Sequence, residues 1–440
     1  MTAVPTAQAD PVAGSPWRKL RTDALFGTSV AIMASTVITS GLGYLLWLVV
    51  ARAFGQQVSG DGAAITSLMM AVSLLAAVGA AAAMIQWLPQ ATEALAWRRR
   101  VTAGLVATTA ASLVGGLLAV AVMLLITDSL PALRTLPGAA LFVAGVLFTA
   151  LGTLYDYICV SEQRGAFMLL RNGIASLLRL PLIFVPFVVD GQPMQILLAW
   201  TVSAALSLVV AVPLFRGRSA GRTLLRLVSA GLLPELRLMG SSVAGQHLIT
   251  VTAMLGAYLL PVLVVDRLSA VDNAYFYITW MLGSLFSIIS PAVSTALFAS
   301  AAADPAQIRA ATRRSLLIIG GLLAVPILAY LLGGRLLLGL FGADYAEHGW
   351  LLLVLLTAAA IPDAVTNVAV AVLRATDRIA AAVWLNGLIL LGTLVLSFVL
   401  LPHLGIVAVG ISWLIAQSVG AVWAAFELRG IGAPRPEVVS

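Results

Sequence analysis

The sequence predicts an all-α polytopic membrane protein with about 12 transmembrane helices in two parallel-related six-helix lobes. Three observations lead there. Of 440 residues, 61% are apolar and 10% are charged, with a mean hydropathy of +1.04; soluble domains carry about 25% charged residues. The apolar residues fall in runs near 24–51, 62–88, 101–126, 138–160, 167–189, 193–215, 238–264, 273–300, 314–334, 349–373, 379–401 and 404–426. Each run is close to the roughly 20 residues a helix needs to cross a bilayer, and too long for a barrel strand. Basic residues then alternate between the two sides of these runs.

Taken in order, residues 1–16 hold three prolines and no apolar run, and read as a disordered tail. Arg18, Lys19 and Arg21 precede a first apolar run too long for a signal peptide, so an uncleaved span is expected. Successive segments on the same side carry Arg98, Arg99 and Arg100, then Arg164 and Arg171, then Arg216, Arg218, Arg222, Arg226 and Arg237. Arg309, Arg313 and Arg314, Arg374 and Arg378, and Arg429 and Arg435 follow. The other side has Arg52, Arg134, Arg267 and Arg335. This asymmetry places both termini in the cytoplasm. The scarcity of lysine (Lys19 alone) beside abundant alanine suggests a GC-rich bacterial genome, hence the bacterial cytoplasmic membrane.

The chain repeats. Arg164, Asn172 and Gly173 recur 214 residues later as Arg378, Asn386 and Gly387; Arg52 matches Arg267, and Ile65-Thr66 matches Ile278-Thr279, at nearly the same offset. Six spans separate the members of each pair, so the halves share one orientation, and such architectures put the substrate path between them. The lobes are expected at 17–215 and 238–428, joined by a cytoplasmic interfacial connector at 216–237 and followed by a tail at 429–440. In the connector, Arg222 and Arg226 segregate from Leu224, Leu225 and Val228 if the segment is helical, which reads either as an interfacial helix or as a basic solvated linker. Trp87, Trp97 and Trp350 fall at expected interfaces, and Ala80–Ala83, Gly115-Gly116 and Gly320-Gly321 at expected close helix contacts.

Several chemistries are excluded. Composition rules out a soluble enzyme. The three histidines have no partner at metal-ligand spacing within a helix, so no metal site is expected. A single lysine at position 19 leaves no P-loop. The loops are too short for a glycosyltransferase site, so no enzyme and no cofactor is expected. No nucleic-acid partner is expected either, because the basic excess follows membrane orientation.

What remains is intramembrane charge, which is costly and marks functional sites. Arg179 lies near the centre of span 5, on one face with Arg171 and beside Asn172; the stripe suits an anionic headgroup, or a structural pair with Asp156. Asp363 follows Pro362 in span 10, on a stripe with Asn367 and Arg374, and His247 lies at similar depth in span 7. A carboxyl or imidazole there can exchange a proton or hold an ion, or simply bond to a neighbouring helix. Asp156 in span 4 is either part of such a pathway or an anchor for Arg164 or Arg171.

Five stretches resemble the polysaccharide-exporter (oligosaccharide-lipid flippase, Wzx-like) branch of the multidrug/oligosaccharidyl-lipid/polysaccharide (MOP) flippase superfamily. They are Ala51-Arg52-Ala53-Phe54-Gly55 with Gly60, Asp272-Asn273-Ala274-Tyr275-Phe276, Leu340-Phe341-Gly342-Ala343-Asp344-Tyr345, Leu373-Arg374-Ala375-Thr376-Asp377-Arg378 and Pro402-His403-Leu404-Gly405-Ile406. The resemblance implies two lobes around a central cavity lined by spans 1, 2, 7 and 8. It implies alternating-access flipping of an undecaprenyl-pyrophosphate-linked oligosaccharide, driven by an ion such as H+ or Na+ or by the membrane potential. Partners are then membrane lipids, a polysaccharide polymerase and glycosyltransferases. Arg179, Arg171, Asn172 and Arg52 are the expected substrate contacts; Asp363, His247, Asn367 and Asp156 are the expected coupling residues. The competing readings are a cation-coupled multidrug exporter, a lipid II flippase (a subgroup usually with two more spans) and a non-transporting scaffold of a glycan-assembly complex.

Overall fold

The computed structural model describes residues 24–185, 192–242, 244–286, 289–291, 293–294 and 308–429. The expected tails at 1–16 and 430–440, with Arg18, Lys19, Arg21 and Arg435, lie outside the described residues, as do the last residues of spans 5 and 8. Among the described residues the chain is helical, a multi-pass membrane protein of two lobes. The first lobe holds α1 (Ala24–Ala53), α2 (Gly55–Trp87), α3 (Ala94–Ile126), α4 (Leu136–Ser161), α5 (Gly165–Leu182) and α6 (Gln192–Leu214). A short α7 (Leu232–Ser242) precedes the second lobe: α8 (Ala244–Arg267), α9 (Ala270–Gly283), α10 (Ile308–Gly339), α11 (Ala343–Ala375), α12 (Ile379–Leu404) and α13 (Val407–Arg429).

Ten of these helices are long and apolar enough to cross a membrane. The two remaining expected spans are α5, interrupted by Arg171 and Arg179, and α9, described only to Gly283. Several helices start well before their apolar runs: α2 at Gly55, α3 at Ala94 and α11 at Ala343. An apolar run measures hydrocarbon thickness, whereas a helix continues into the headgroup layer for as long as its backbone bonds allow.

The repeat is visible in the backbone. Ala53 and Arg267, Ser161 and Ala375, and Gly165 and Ile379 are equivalent helix ends 214 residues apart. The turns after α4 and α11 are the same turn. Gln163 (φ 55°) and Asp377 (φ 58°) are the only non-glycine described residues in the left-handed region. The next amides, of Arg164 and Arg378, donate to Cys159 O and Leu373 O, each at 2.7 Å. Such a left-handed residue with a six-to-one bond is how helices commonly stop.

The connector differs from expectation. No helix covers Phe215–Gly231. The segment is a strap closed by Gly217 N–H to Arg222 O at 2.7 Å, with Gly221 and Gly231 at φ +82° and +77°. Three glycines in one segment disfavour helix, and the Arg222 guanidinium is drawn away to the carbonyls of Ala91 and Thr92. The helix that does form, α7, packs against α3 and α2 rather than against the second lobe, and Glu235 on it lies 3.8 Å from Arg100.

Among the described residues the lobes share an apolar core toward one end. The poorly basic end carries Arg52 and Arg267. There a single apolar core runs from Leu46, Trp47, Ile65 and Leu68 into Leu260, Val264, Phe276 and Ile278. At the basic end the first lobe closes on its own core around Met84, Trp97, Leu154 and Phe215. The second closes separately around Ala369, Leu385 and Ala416, and around Ile249, Leu373 and Ala382. Trp97 is fully buried and donates to Glu162 Oε1 at 2.7 Å, so it is a core residue and not part of an interfacial belt. Gly115 and Gly116 meet Val72 and Val143, as a close contact requires, whereas Gly320 and Gly321 face open space.

Candidate functional site

The seam between the lobes is built from backbone as much as from side chains. A Cβ on Gly60 would lie 1.6 Å from Ala270 O, and Asn273 Nδ2 donates to Gly60 O at 2.7 Å. Glycine at 60 is required because two helix backbones touch there. Nearby, Gln56 Nε2 donates to Asp344 Oδ2 at 2.9 Å, and Tyr44 OH to Met281 O at 2.9 Å. Arg52 belongs to this seam. Its guanidinium donates to Leu340 O (2.6 and 2.9 Å) and Gly339 O (3.3 Å), at the C-terminal end of α10. A cation there meets the negative end of the helix dipole. Arg52, expected to contact substrate, is therefore engaged in joining the lobes.

Inward from the seam an aromatic band crosses from lobe to lobe. Arg179 of α5 lies over the Trp200 ring at 4.4 Å and donates from Nε to Ser203 Oγ at 3.2 Å. Trp200 is 6.0 Å from Trp47, and Trp47 is 4.6 Å from Tyr277 of α9. One turn further along α9, Trp280 packs 5.3 Å from Trp413. Arg179 has no ion-pair partner among the described residues. The expected pairing with Asp156 is not made. Asp156 is bound instead by Arg171, through Nε–Oδ1 at 2.9 Å and Nη2–Oδ2 at 2.6 Å, and by Asn172 Nδ2 at 3.1 Å.

That buried fork corrects two expectations. Arg171 and Asn172 are committed to a carboxylate and do not form a free stripe leading to Arg179; Asp156 is their anchor. The fork fits because residue 152 is glycine: a Cβ there would lie 2.5 Å from Arg171 Nη1. Burying this pair costs desolvation that the bidentate geometry offsets.

Trp280 and Trp413 open onto a cavity of about 430 Å³ inside the second lobe. Its wall includes Tyr258, Asp363, Thr366, Asn367, Asn386, Thr393 and Gln417. Asp363 is buried, and its Oδ1 accepts from Gln417 Nε2 at 3.0 Å. Thr366 Oγ1 donates to Gln417 Oε1 at 2.8 Å, which turns the amide so that its NH2 faces Asp363. Asn367 Nδ2 donates to Asp363 O at 2.9 Å. Asp363 Oδ2 and Thr393 Oγ1 are buried without a hydrogen-bond partner. Two open oxygen acceptors, one on a carboxyl group, can receive a proton or a hard cation.

His247 does not join this site. It does not line the cavity, its Nδ1 is buried without a partner, and no bond links it to Asp363. Arg374, on the expected stripe with Asp363, is exposed at the basic end. Sequence reading passed over Gln417, Thr366, Asn386 and Thr393; polar residues at helical spacing in apolar runs (Asp363/Thr366/Asn367, Asn386/Thr393) were the available signal.

Comparison with family models and with curated proteins returns no match. Solved structures do match. An inward-facing multidrug resistance MATE family transporter of the MOP superfamily aligns over 92% of this chain and 98% of its own, at 16% identity and a TM-score of 0.68. The lipid II flippase MurJ in an inward closed conformation aligns over 91% and 87%, at 13% identity and a TM-score of 0.66. An outward-facing MATE family transporter aligns over 96% and 99%, at 17% identity and a TM-score of 0.58. The chain has the fold these transporters share. The two-lobed architecture expected from the repeat is that fold.

Proposed function

We propose that the chain is a flippase moving an undecaprenyl-pyrophosphate-linked oligosaccharide through the cleft between its lobes, in the bacterial cytoplasmic membrane with both termini cytoplasmic. The observation that carries this reading is Arg179: a guanidinium without a carboxylate among the described residues, held over Trp200, which reaches Tyr277 of the second lobe through Trp47. An unpaired cation at membrane depth is costly and calls for an anion, and a pyrophosphate accepts the guanidinium fork bidentately. The aromatic face below it keeps the guanidinium oriented. The seam near Arg52 is the closed gate, and the separate cores at the basic end let the lobes spread there to admit a headgroup. Asp363 takes the coupling cation, H+ or Na+, in the second lobe, away from the anionic substrate. A polysaccharide polymerase and glycosyltransferases would then act after and before it.

The test is flipping of a fluorescent undecaprenyl-pyrophosphate oligosaccharide by the reconstituted protein, run beside efflux of a cationic dye. Arg179→Gln lowers flipping by about tenfold or more, the worth of a charge-assisted bond, while protein abundance is retained; Arg179→Lys restores part of it. Asp363→Asn keeps the Gln417 contact and removes the dependence on an ion gradient. The second lobe's cavity, walled by Trp280, Trp413 and Tyr258 around a carboxylate, favours one other reading, a cation-coupled exporter of cationic amphiphiles. Dye efflux without lipid flipping, unaffected by Arg179→Gln and lost in Asp363→Asn, would establish that reading instead.

A further inference from the structure

The strap between the lobes is more folded than a linker needs to be, and its charge is one-sided. Its turn is closed by the Gly217–Arg222 backbone bond, and a Cβ at Gly217 would sit 2.4 Å from Arg222 Cβ, so the turn has one compact shape. Arg222 is pinned to the carbonyls of Ala91 and Thr92 and lies 3.6 Å from Glu162; Arg218 donates to Gln163 Oε1 at 2.8 Å. Val228 N–H is fixed to Thr102 Oγ1 at 3.1 Å. Between these anchors a cavity of about 490 Å³ is lined by Arg216, Arg218, Arg222 and Arg226. The Arg216 and Arg226 side chains are exposed and make no hydrogen bond or ion pair among the described residues. The Glu162 carboxylate, 3.6 Å from Arg222, is already engaged by Trp97. Beside the cavity the strap buries Leu224 in the first lobe but leaves Leu225 and Leu227 61% and 60% exposed. Orientation in the membrane requires basic residues at this end; it does not require them to surround one cavity, nor leucines to project next to it.

We propose that this cradle binds the headgroup of an anionic phospholipid, with the phosphate between Arg216 and Arg226 and the acyl chains against Leu225 and Leu227. Arginines meet phosphate oxygens by charge-assisted bonds, and the pinned turn leaves little ordering cost on binding. The leucines select a lipid over a free phosphate, because only a lipid brings apolar surface to cover them. The strap is continuous with α7 and α8, so the lipid holds the linkage between the lobes at the membrane surface.

The experiment is native mass spectrometry of the full chain in detergent, titrated with phosphatidylglycerol, with phosphatidylcholine, or with inorganic phosphate as competitor. The wild type retains phosphatidylglycerol in preference to phosphatidylcholine, and inorganic phosphate does not displace it. Arg216→Gln with Arg226→Gln lowers retention by more than tenfold, each arginine near a membrane surface being worth about fivefold. The melting temperature is unchanged, since neither side chain holds the fold together. Leu225→Ser with Leu227→Ser lowers retention as well. Retention unchanged in the arginine pair, or equal for the two lipids, overturns the proposal. Displacement by phosphate with no effect of the leucine pair overturns it too, leaving a site for free anions.

Discussion

The two lobes share a backbone and differ in the sign of what they bury. At equivalent positions 214 residues apart, the first lobe has Gly152, Asp156, Arg171, Arg179 and Ser203, and the second has Thr366, Val370, Leu385, Thr393 and Gln417. In the first lobe Gly152 leaves room for the Arg171–Asp156 fork, which neutralises itself, and Arg179 remains as a net positive charge resting on Ser203. In the second, Val370 and Leu385 replace the fork with apolar packing. Thr366 fills the space that glycine leaves empty, and its hydroxyl aims Gln417 at Asp363. One scaffold thus holds a cation in the first lobe and a carboxyl group in the second. In the proposed cycle this keeps an anionic substrate and its coupling cation in separate lobes, so that they compete for the conformation of the protein rather than for one pocket.

Exchanging the equivalent residues breaks this comparison most severely at the fork. Arg171→Leu, the second lobe's residue, leaves Asp156 without its cation and with only the Asn172 amide as partner, at about 3–5 kcal/mol. Adding Asp156→Val, which reproduces the second lobe's apolar pair, should restore most of the melting temperature, since apolar replacement of a buried ion pair is often neutral. If the double variant is no more stable than the single one, the fork does more than fill space. A smaller effect is expected at position 152. Gly152→Thr brings a Cβ to 2.5 Å from Arg171 Nη1 and must push the guanidinium off Asp156, at about 1–3 kcal/mol. The reverse change, Thr366→Gly, fills no space and should instead loosen Gln417, seen as weakened ion coupling in the transport assay. The smallest effect on stability belongs to Gln417→Ala. It removes one hydrogen bond to a carboxyl group, about 1–2 kcal/mol in the folded protein, while altering the ion dependence of transport. Unchanged ion dependence would take Asp363 out of the coupling site.

The seam and the cleft supply a second contrast, which crosslinking can sharpen. Cys159 is buried, so introduced cysteines dominate the reaction. Gln56→Cys with Asp344→Cys sits where these two side chains meet across the seam and should be joined readily by a short bifunctional thiol crosslinker in the substrate-free protein. Arg164→Cys with Arg378→Cys, equivalent turns at the basic end, should not. Linking of the basic-end pair at the same rate would mean that the lobes close at both ends.

Much of this was legible in the chain. The multi-pass, all-helical architecture follows from hydrocarbon thickness, a property of composition along the sequence. The repeat was readable because the residues that stop a helix, such as those at Arg164 and Arg378, must recur where the same turn recurs. Arg179 and Asp363 stood out because a charge in an apolar run is expensive wherever it points. What the sequence by itself could not decide is partnership. Whether Asp156 meets Arg164, Arg171 or Arg179 depends on the rotation of α5 against α4, and that rotation is set by a glycine at 152 whose only role is an absent side chain. Whether His247 reaches Asp363 depends on which way α8 turns against α11, which hydropathy does not register. Arg52 counts as one more loop arginine until α10 ends beside it. Charge and hydropathy are properties of single residues and act through the solvent, so sequence reports them. Pairing and cavities arise where helices distant in sequence touch, and only the tertiary structure brings those surfaces together.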